Sequence, residues 1–534
     1  MERKRLFARA VVVLAASVVT AGVLAATANA QNYILLYKQN AVSSDVATTV
    51  QKAGGTLVYS YPQIGVAIAS SDSASFRDDV LKDNRIENAA GTAAYATQLP
   101  SDSTEASPGD LPNAPATDSD TFSGLQWDMR QIHTPEAHAI TGGSPAVVVG
   151  DIDTGLDKDH PDLIPNIDFS RSVSCVGGVP NQSPTAWDDD NGHGTHTAGT
   201  IAAASNGIGV VGVAPNVKVA GIKAGNTAGF FFPEAVVCAF MWAGTHQIDV
   251  TNNSYFADPW LFNCKNDPVQ RAIWKAEQRA IRFAMQSGVT VVASEGNESE
   301  DLSHPSMDIT SPDDQPTPEE REVTNACVVI PVEIPGVIGV TADGNRRQVD
   351  GDDDPDDFLK SYYSSFGVST ADVVAPGGDF FYGQTPEAVN GLVLSTWPAE
   401  IGGSRRLTDP GDATHPSSMY RYIQGTSMAA PHVAGVAALI VSVFGDLNNP
   451  KNGKMQPGKV SSMLQQTADA QPCPTELPAS GAPGTSLFGV PYSAITGSQS
   501  DTLQVCQGGP SHNSWYGAGQ VNALRAILHD SGGN

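Results

Sequence analysis

The stretch that decides the fold reads Gly425-Thr426-Ser427-Met428-Ala429-Ala430-Pro431-His432-Val433-Ala434-Gly435. A glycine-led turn places a single serine at the start of an apolar run that has the length of a helix. Backbone N–H groups at a helix N-terminus carry partial positive charge, so they can stabilise the oxyanion that forms when a serine attacks a carbonyl. Serine is also a favoured N-cap, which is a purely structural explanation. The sequence upstream separates these two interpretations.

An acid and a base precede this serine in the chain. The apolar run 147–152 is typical of a buried parallel strand, and it leads into Asp153 within an Asp-Thr-Gly string. Forty residues after Asp153, His193 stands between two glycines at the start of a run of small residues. Asp151 lies two residues before Asp153 and points to the same face of the strand. An exchange of roles between the two carboxylates stays open, although the Asp-Thr-Gly string favours Asp153.

These groups suit nucleophilic catalysis. A serine hydroxyl is a weak nucleophile at neutral pH, so Ser427 needs a general base within hydrogen-bond reach. His193 has the setting for that role, and Asp153 would hold its imidazole in one tautomer and stabilise the imidazolium. The chain lacks the Gly-x-Ser-x-Gly string of α/β-hydrolases, whose triad also has a different order, so an esterase of that class is disfavoured.

The order Asp, His, Ser, with the strings around the three residues, resembles that of the subtilisin-like (subtilase) serine peptidases. The likeness extends from about Gln126 to Ile527. It implies a subtilisin-like three-layer α/β fold with a mainly parallel sheet, and an acyl-enzyme formed on Ser427. Further strings that resemble the family are Gly212-Val213-Ala214-Pro215, Asn253-Ser254, Glu295-Gly296-Asn297-Glu298, Pro335-Gly336-Val337-Ile338, Tyr363-Ser364-Ser365-Phe366-Gly367 and Val374-Ala375-Pro376-Gly377.

The resemblance also assigns residues to the oxyanion and the substrate. Asn297 follows the strand-like run 289–293 and matches the side-chain amide with which the family binds the oxyanion. The Ser427 backbone N–H would be the second donor. The residues that correspond to substrate-binding segments of the family are Ser254, Tyr255, Glu295 and Gly296.

Glu295 departs from the family, which usually has a small apolar residue at this position. An ionised Glu295 near the primary pocket would favour a basic substrate side chain. A buried Glu295 would instead leave an apolar preference set by Tyr255 and Phe256. We expect burial, because Glu295 continues a strand whose alternate positions face the core. Tyr255 and Phe256 in turn either narrow the pocket or pack in the core.

No cofactor is expected for catalysis, but the resemblance points to a structural Ca²⁺ site. The residues that correspond to the family site are Asp162 and Asn206, with the carbonyl groups of Ile208 and Val210. Gln126 is the residue that could replace a glutamine ligand of the family. His196 could pair with His193 as a zinc ligand, but the chain has no His-Glu-x-x-His string, and the corresponding family histidine is structural.

The N-terminus predicts export. Arg3, Lys4 and Arg5 precede the apolar run 11–23, and Ala28-Asn29-Ala30 forms a small-residue cleavage site, so residues 1–30 are typical of a signal peptide. An uncleaved membrane anchor is the alternative, because the apolar run approaches the length of a spanning helix.

The six cysteines form an even set without Cys-x-x-Cys spacing, so disulfides are expected in an oxidising compartment. Six cysteines allow fifteen pairings. We expect Cys473 to pair with Cys506 and Cys264 with Cys327. This leaves Cys175 with Cys238 by elimination only.

Residues 31–97 have a pattern of their own. They read as strand, helix, two strands and helix, which fits a small ferredoxin-like α+β unit. In subtilases such a unit is an intramolecular chaperone and inhibitor that self-cleavage removes, so the resemblance implies a pro-domain; a plain accessory domain is the alternative. The acidic, Pro- and Ser-rich stretch 98–122 is predicted to be an exposed linker, and residues 123–534 the peptidase domain with insertions.

Charge and length complete the prediction. A formal net charge of −27 over 534 residues argues against nucleic acid as a partner. The sequence therefore predicts a secreted, monomeric serine endopeptidase that acts on polypeptides, is inhibited by its own pro-domain, and has no stable membrane insertion after signal cleavage. The alternative is a catalytically silent relative that acts as an extracellular binding module. All three triad residues and Asn297 are present, which favours an active enzyme.

Overall fold

A computed structural model describes most of the chain as a small N-terminal unit and a larger α/β body. The described residues are 30–92, 118–258, 260–311, 319–345, 358–379, 391–403, 406–411, 414, 416–449, 453–474 and 504–529. The predicted signal peptide lies outside them except for residue 30, and so do residues 93–117, which hold most of the predicted linker.

The N-terminal unit is a four-stranded antiparallel sheet with two short helices. Its elements are β1 (Gln31–Tyr37), α1 (Val46–Lys52), β2 (Thr56–Tyr61), β3 (Val66–Ser71), α2 (Phe76–Val80) and β4 (Ile86–Gly91). The strands lie in the order β2-β3-β1-β4, which is the ferredoxin-like arrangement. The sequence analysis did not predict β4, because its Ala-Ala-Gly segment has low strand propensity and its conformation is set by pairing with β1.

The body is built on a mainly parallel sheet. Its first elements are α3 (Trp127–Gln131), α4 (Thr134–His138), β5 (Val148–Asp153), β6 (Val173–Ser174), α5 (Pro184–Trp187), α6 (His193–Ala202), β7 (Lys218–Lys223), α7 (Pro233–Thr245), β8 (Val250–Asn253), β9 (Asn263–Cys264), α8 (Pro268–Gln286), β10 (Thr290–Ser294), β11 (Met307–Asp308), β12 (Arg321–Glu322) and β13 (Cys327–Val328). The later elements are β14 (Ile338–Asn345), β15 (Phe358–Lys360), β16 (Ala371–Pro376), β17 (Val393–Trp397), β18 (Arg406–Asp409), β19 (Ser418–Ile423), α9 (Thr426–Phe444), α10 (Pro457–Thr467), β20 (Gly508–Gly509), β21 (His512–Asn513) and α11 (Ala523–Leu528).

The central strands lie in the order β15-β14-β10-β8-β5-β7-β6, and β16 also pairs with β14. Along this path the strands pair in parallel, except that β15 runs antiparallel to β14. Successive residues of β5, and Val147 just before it, point to opposite faces of the sheet. Val147 and Val149 belong to the hydrophobic core on one face, and Val148 belongs to the core on the other face. Helices α6, α9, α10 and α11 contribute to the first core, α7 and α8 to the second. The predicted three-layer α/β fold is confirmed.

The N-terminal unit packs on α7 and α8. Ile34 and Leu36 of β1 belong to the same buried cluster as the inner faces of these helices. Ala90 of β4 packs with Ala272 and Ile273 of α8. The polar contacts are Asn32 Nδ2 donating to Glu234 Oε1 at 3.0 Å, Arg279 Nη1 donating to the carbonyl groups of Tyr37 at 3.0 Å and Ile64 at 3.1 Å, and an ion pair between Lys275 and Glu87.

Three disulfides cross-link the body. They join Cys175 with Cys238, Cys264 with Cys327 and Cys473 with Cys506, so all three expected pairs are confirmed.

The end of the predicted linker is packed against the body. Asp118 Oδ2 lies 3.1 Å from His138 Nδ1. Asp120 is 5% exposed, and its Oδ2 accepts a hydrogen bond from the Asn206 N–H at 3.0 Å. The side chains of Asp118 and Asp120 bond to groups of the body, so the predicted exposure fails at these two residues, whereas Ser119 and Thr121 between and after them are exposed.

Candidate active site

Ser427 lies in the first turn of α9. This helix is the one described helix long and apolar enough to cross a membrane, but 83% of its apolar window is buried, so it is a core helix of the body. Ser427 Oγ donates a hydrogen bond to the Ser254 carbonyl at 3.1 Å. Because the first N–H groups of a helix have no intrahelical acceptor, the Ser427 N–H is free to bind another oxygen.

His193 and Asp153 form a close pair. His193 Nδ1 lies 2.8 Å from Asp153 Oδ1, at the carboxyl end of β5. An Nδ1 that faces a carboxylate carries the hydrogen, which leaves Nε2 able to accept a proton. The structure thus pairs the histidine with Asp153 and not with Asp151. Ser427 Oγ donates its hydrogen bond to the Ser254 carbonyl and not to His193. Hydrogen bonds between catalytic groups are often long or poorly aligned before substrate binds.

The turn before α6 fixes the position of His193. Asp189 accepts hydrogen bonds from the N–H groups of Asn191, Gly192 and Thr195, at 3.0, 2.9 and 2.9 Å. Gly192 has a φ of +103°, and a Cβ there would lie 2.5 Å from the Trp397 ring, so the position requires glycine. The sequence analysis missed Asp189; an acidic residue just before a helix start is the signal that could have found it.

Asn297 lies beside the nucleophile. Its Oδ1 accepts hydrogen bonds from the Thr426 N–H at 2.9 Å and from Thr426 Oγ1 at 3.0 Å. A backbone N–H can only donate, so the amide oxygen must face Thr426 and the amide NH₂ is turned away from it. Asn297 and Ser427 line the same pocket. The NH₂ group is therefore available to an oxyanion formed there.

This pocket is mainly apolar. Phe231, Tyr255, Phe256 and Val329 line it, and the rings of Phe231 and Tyr255 stack with centroids 4.2 Å apart. Tyr255 is 4% exposed, so it both lines the pocket and packs in the core. The polar lining includes Ser254, Gly296 and Glu298.

Glu295 does not line the pocket. It is 0% exposed, and its Oε1 would lie 2.6 Å from a Cβ built on Gly339 of β14. Burial raises the pKa of Glu295 well above its ordinary value. Its neighbours Ser294 and Gly296 reach the pocket, because successive residues of an extended chain point to opposite sides. Glu295 is therefore buried as expected, and its side chain is away from the predicted substrate-binding position.

Two carboxyl side chains line the pocket, those of Asp258 and Glu298, and the sequence analysis assigned neither. Burial raises the pKa of Glu298 to about 7. The position of Glu298 next to Asn297 in the sequence is the signal that could have identified it as a pocket residue.

A family model described as the subtilase family, Peptidase_S8, matches residues 144–511. The chain belongs to the subtilase family. Subtilisin DY of Bacillus licheniformis is 31% identical over 304 residues, which cover 57% of this chain and 79% of that protein. An alkaline protease of Alkalihalobacillus alcalophilus is 29% identical over 319 residues. That match spans 59% of this chain and 59% of the relative's length.

Two solved subtilase structures resemble the whole described arrangement. The epidermin leader peptide processing serine protease of Staphylococcus aureus gives a TM-score of 0.64 at 20% identity, covering 95% of this chain and 100% of that chain. Fervidolysin of Fervidobacterium pennivorans, a keratinolytic enzyme related to subtilisin, gives 0.62 at 22% identity, covering 93% of this chain and 61% of that chain. At these identities the two structures establish the fold.

His196, the second histidine of the subtilase string, packs in the core. Its Nε2 donates to the Arg421 carbonyl at 3.0 Å, and burial lowers the pKa of His196 to about 3. Among the residues that the structure describes, no group of three or more His, Cys, Asp or Glu side chains could hold a metal ion.

The predicted calcium residues meet at one loop. Asp162 Oδ2 accepts a hydrogen bond from the Val210 N–H at 3.1 Å, and Asn206 Oδ1 accepts one from the Ile208 N–H at 3.1 Å. The N–H groups of Ile208 and Val210, rather than the expected carbonyls, thus face these oxygens. Gln126 bonds to the N–H and the carbonyl of Val211, at 2.9 and 3.0 Å, and not to this site.

Two carboxylate oxygens at this loop lack hydrogen-bond partners. Asp162 Oδ1 and Asp120 Oδ1 are buried and unbonded. Burial raises the pKa of Asp162 well above its ordinary value, and the Asp120 charge raises it further. Unpaired carboxylate oxygens are the ligand type that Ca²⁺ prefers. The residues therefore fit a cation, with Asp120 added to the predicted set.

Proposed function

We propose that this chain is a serine endopeptidase that hydrolyses peptide bonds through an acyl-enzyme on Ser427. The observation that carries the proposal is that Ser427, at a helix N-terminus, and the oriented amide of Asn297 line one pocket beside the Asp153–His193 pair. The pair lies beside them because β5, which ends at Asp153, pairs with β8, and Ser254 directly after β8 accepts a hydrogen bond from Ser427 Oγ. Each of the three supplies a different requirement of acyl transfer: a base, a nucleophile and an oxyanion donor.

The reaction uses these groups in two halves. His193 Nε2 takes the Ser427 proton as Oγ attacks the substrate carbonyl, and Asp153 stabilises the imidazolium that forms. The Asn297 amide and the Ser427 N–H donate to the oxyanion. His193 then passes the proton to the leaving amine, which leaves the acyl-enzyme. Water activated by the same base releases the second product.

A fluorophosphonate probe tests the proposal, because it labels only an activated serine. We expect labelling and peptide hydrolysis in the wild type and neither in Ser427→Ala. A wild-type protein that is folded, unlabelled and inactive on a peptide library would instead establish the alternative, a catalytically silent relative that binds its partners.

We also propose that the chain is a secreted zymogen that processes itself. The N-terminal unit covers α7 and α8 through a shared apolar cluster. Its last described residue, Thr92, bonds to Asn32, whose side chain contacts Glu234 at the start of α7. Phe231, which lines the pocket, lies three residues before Glu234. The chain thus leaves the N-terminal unit near the pocket, which favours cleavage by the same molecule and inhibition by the unit until it is removed.

Expression of Ser427→Ala tests self-processing. The variant should accumulate at the length of the precursor without its signal peptide, whereas the wild type should appear shortened in the medium. A variant that is shortened to the same product when expressed alone would show that another peptidase does the processing.

We further propose that a Ca²⁺ ion stabilises the loop at Asp162. Asp162, Asp120 and Asn206 would hold it, and its charge would neutralise the two unpaired carboxylate oxygens. The melting temperature should rise with added Ca²⁺ and fall with a chelator. An Asp162→Asn variant should lose that response, and an unchanged response in the variant would remove the site from this loop.

A further inference from the structure

Asp151 is a buried carboxyl next to the triad that the mechanism above does not use. It is 1% exposed and lies on β5, two residues before Asp153. Its Oδ1 accepts a hydrogen bond from Asn252 Nδ2 at 2.9 Å, and its Oδ2 lies 2.7 Å from Thr197 Oγ1. Asn252 belongs to β8, and Thr197 lies one turn after His193 on α6. Asp151 thus joins three of the elements that carry the site.

The contacts of Asp151 continue to the nucleophile. Asn252 Nδ2 lies 3.1 Å from Ser254 Oγ, which in turn donates to the Ser427 carbonyl at 2.9 Å. A continuous series of hydrogen bonds therefore runs from the helix of His193, through Asp151, to the first turn of the helix of Ser427.

The donors and acceptors of this series indicate where one proton lies. Thr197 Oγ1 is 2.7 Å from Asp151 Oδ2 and 3.0 Å from the Gly194 carbonyl oxygen. A hydroxyl has one hydrogen, so it either directs that hydrogen at one of these oxygens or shares it between both in a weaker three-centre bond. If Asp151 carries a proton on Oδ2, it donates to Thr197, and Thr197 donates to Gly194. Every contact in the series is then a matched donor and acceptor.

The charges around Asp151 favour the same state. The charged groups that act on it are Asp153 on its own strand, which His193 contacts from α6, and Asp189 in the turn before α6; β8 contributes the neutral amide of Asn252. Burial raises the pKa of Asp151 well above its ordinary value, and the charges of Asp153 and Asp189 raise it further, while the hydrogen bonds to Asn252 and Thr197 only partly offset this rise. An ionised Asp151 would place a second buried negative charge beside Asp153, which is unfavourable at short range.

We propose that Asp151 is a positioning residue that acts as a neutral carboxylic acid and sets the spacing between the helix of His193 and the segment of Ser254. The inference deepens the proposed peptidase function and rests on it. An amide reproduces such a group: in Asp151→Asn, the oxygen accepts from Asn252 and the NH₂ donates to Thr197. An alanine makes neither contact.

The pair Asp151→Asn and Asp151→Ala therefore tests the role. The Asn variant should keep kcat within about threefold of the wild type, whereas the Ala variant should lose about 10- to 100-fold in kcat with little change in KM, because the triad spacing is no longer held. Thr197→Val lacks the hydroxyl and should lose activity like the Asp151→Ala variant. Thr197→Ser keeps a hydroxyl and should retain the activity of the wild type. An Ala variant with wild-type kcat, or an Asn variant as impaired as Ala, would overturn the proposal.

The pH profile tests the protonation state. If Asp151 is neutral, Asp151→Asn leaves the midpoint of the acid limb of kcat/KM in place. If it is ionised, removal of its charge destabilises the imidazolium and moves that midpoint to lower pH, by about half a unit or more. The second result would overturn the neutral-acid proposal.

Urea unfolding separates this inference from the proposed function, because it needs no activity. An acid held neutral by the fold makes its full contribution to stability below about pH 4, the ordinary pKa of Asp, and loses it progressively above that pH, so the wild type should lose stability relative to Asp151→Asn as the pH rises from about 4. A wild type that gains stability relative to the Asn variant as the pH rises would contradict the neutral acid. Absence of fluorophosphonate labelling in the wild type would remove the peptidase function instead.

Discussion

Replacing Asn297 with Ala removes one of the two donors that the proposed mechanism assigns to the oxyanion. Loss of one such donor lowers kcat by about 10²- to 10³-fold, which is about 2.7–4 kcal/mol. KM should change little, because the amide meets a charge that exists mainly in the transition state. The fold should tolerate the change: Asn297 is partly exposed, so water can replace it at the Thr426 N–H and hydroxyl that donate to Oδ1 at 2.9 and 3.0 Å. The stability loss should stay near 1 kcal/mol.

The assay is initial-rate hydrolysis of a chromogenic peptide, with active sites counted by fluorophosphonate titration. Two variants serve as controls. Asn297→Asp keeps the acceptor for Thr426 but puts a carboxylate oxygen where the amide nitrogen was, so it should lose at least as much as Ala. Thr426→Val removes one of the two anchors of Oδ1 and should lose less than about tenfold. Equal changes in kcat and KM, or a loss below about tenfold in Asn297→Ala, would refute the oxyanion role.

Three further outcomes are expected. Because burial raises the pKa of Glu298 to about 7, this pocket carboxyl ionises as the pH rises through neutrality. The rate of cleavage after Arg, relative to cleavage after Phe, should therefore increase over that pH range in the wild type and stay constant in Glu298→Gln. If this ratio changes with pH in the same way in both proteins, Glu298 does not contact the substrate side chain. Burial raises the pKa of Glu295 well above its ordinary value, so the folded protein favours the protonated acid and should become less stable to urea, relative to Glu295→Gln, as the pH rises. The ratio of cleavage after Arg to cleavage after Phe should be the same in the wild type and in Glu295→Gln. A different ratio would mean that Glu295 contacts the substrate side chain. Replacing both Cys264 and Cys327 with Ser releases a crosslink over 63 residues, which in the chain-entropy model lowers the free energy of unfolding by about 4 kcal/mol; a urea midpoint equal to that of the wild type would exclude this contribution.

The fold and the positions of the three candidate catalytic residues could be predicted because their sequence signals are local. The strand before Asp153, the glycines around His193 and the small-residue helix after Ser427 each require particular residues within a few positions. At Gly192, for example, a side chain would collide with Trp397, so the sequence must show glycine there. Local motifs of this kind predict the fold and the position of the site without knowledge of the tertiary contacts.

The lining of the pocket and the residues of the proposed calcium site could be predicted only in part, because they depend on which distant segments meet. Phe231 reaches the pocket from the loop before α7, and nothing near it in the sequence marks it as a substrate contact. Asp120 belongs to a stretch whose composition is that of a linker, yet the loop at Asn206 uses its carboxylate. Side-chain direction was predictable where the strand period applies, which is why the burial of Glu295 could be anticipated.

The helices beneath the N-terminal unit would give the proposed precursor and the proposed mature form different surfaces. Ala272 and Ile273 of α8 lie under Ala90, and Glu234 of α7 bonds to Asn32. When the proposed cleavage removes the unit, this apolar stripe and its carboxyl become water-facing. A hydrophobic-interaction column should therefore retain the mature enzyme longer than the precursor, and purification itself would distinguish the two.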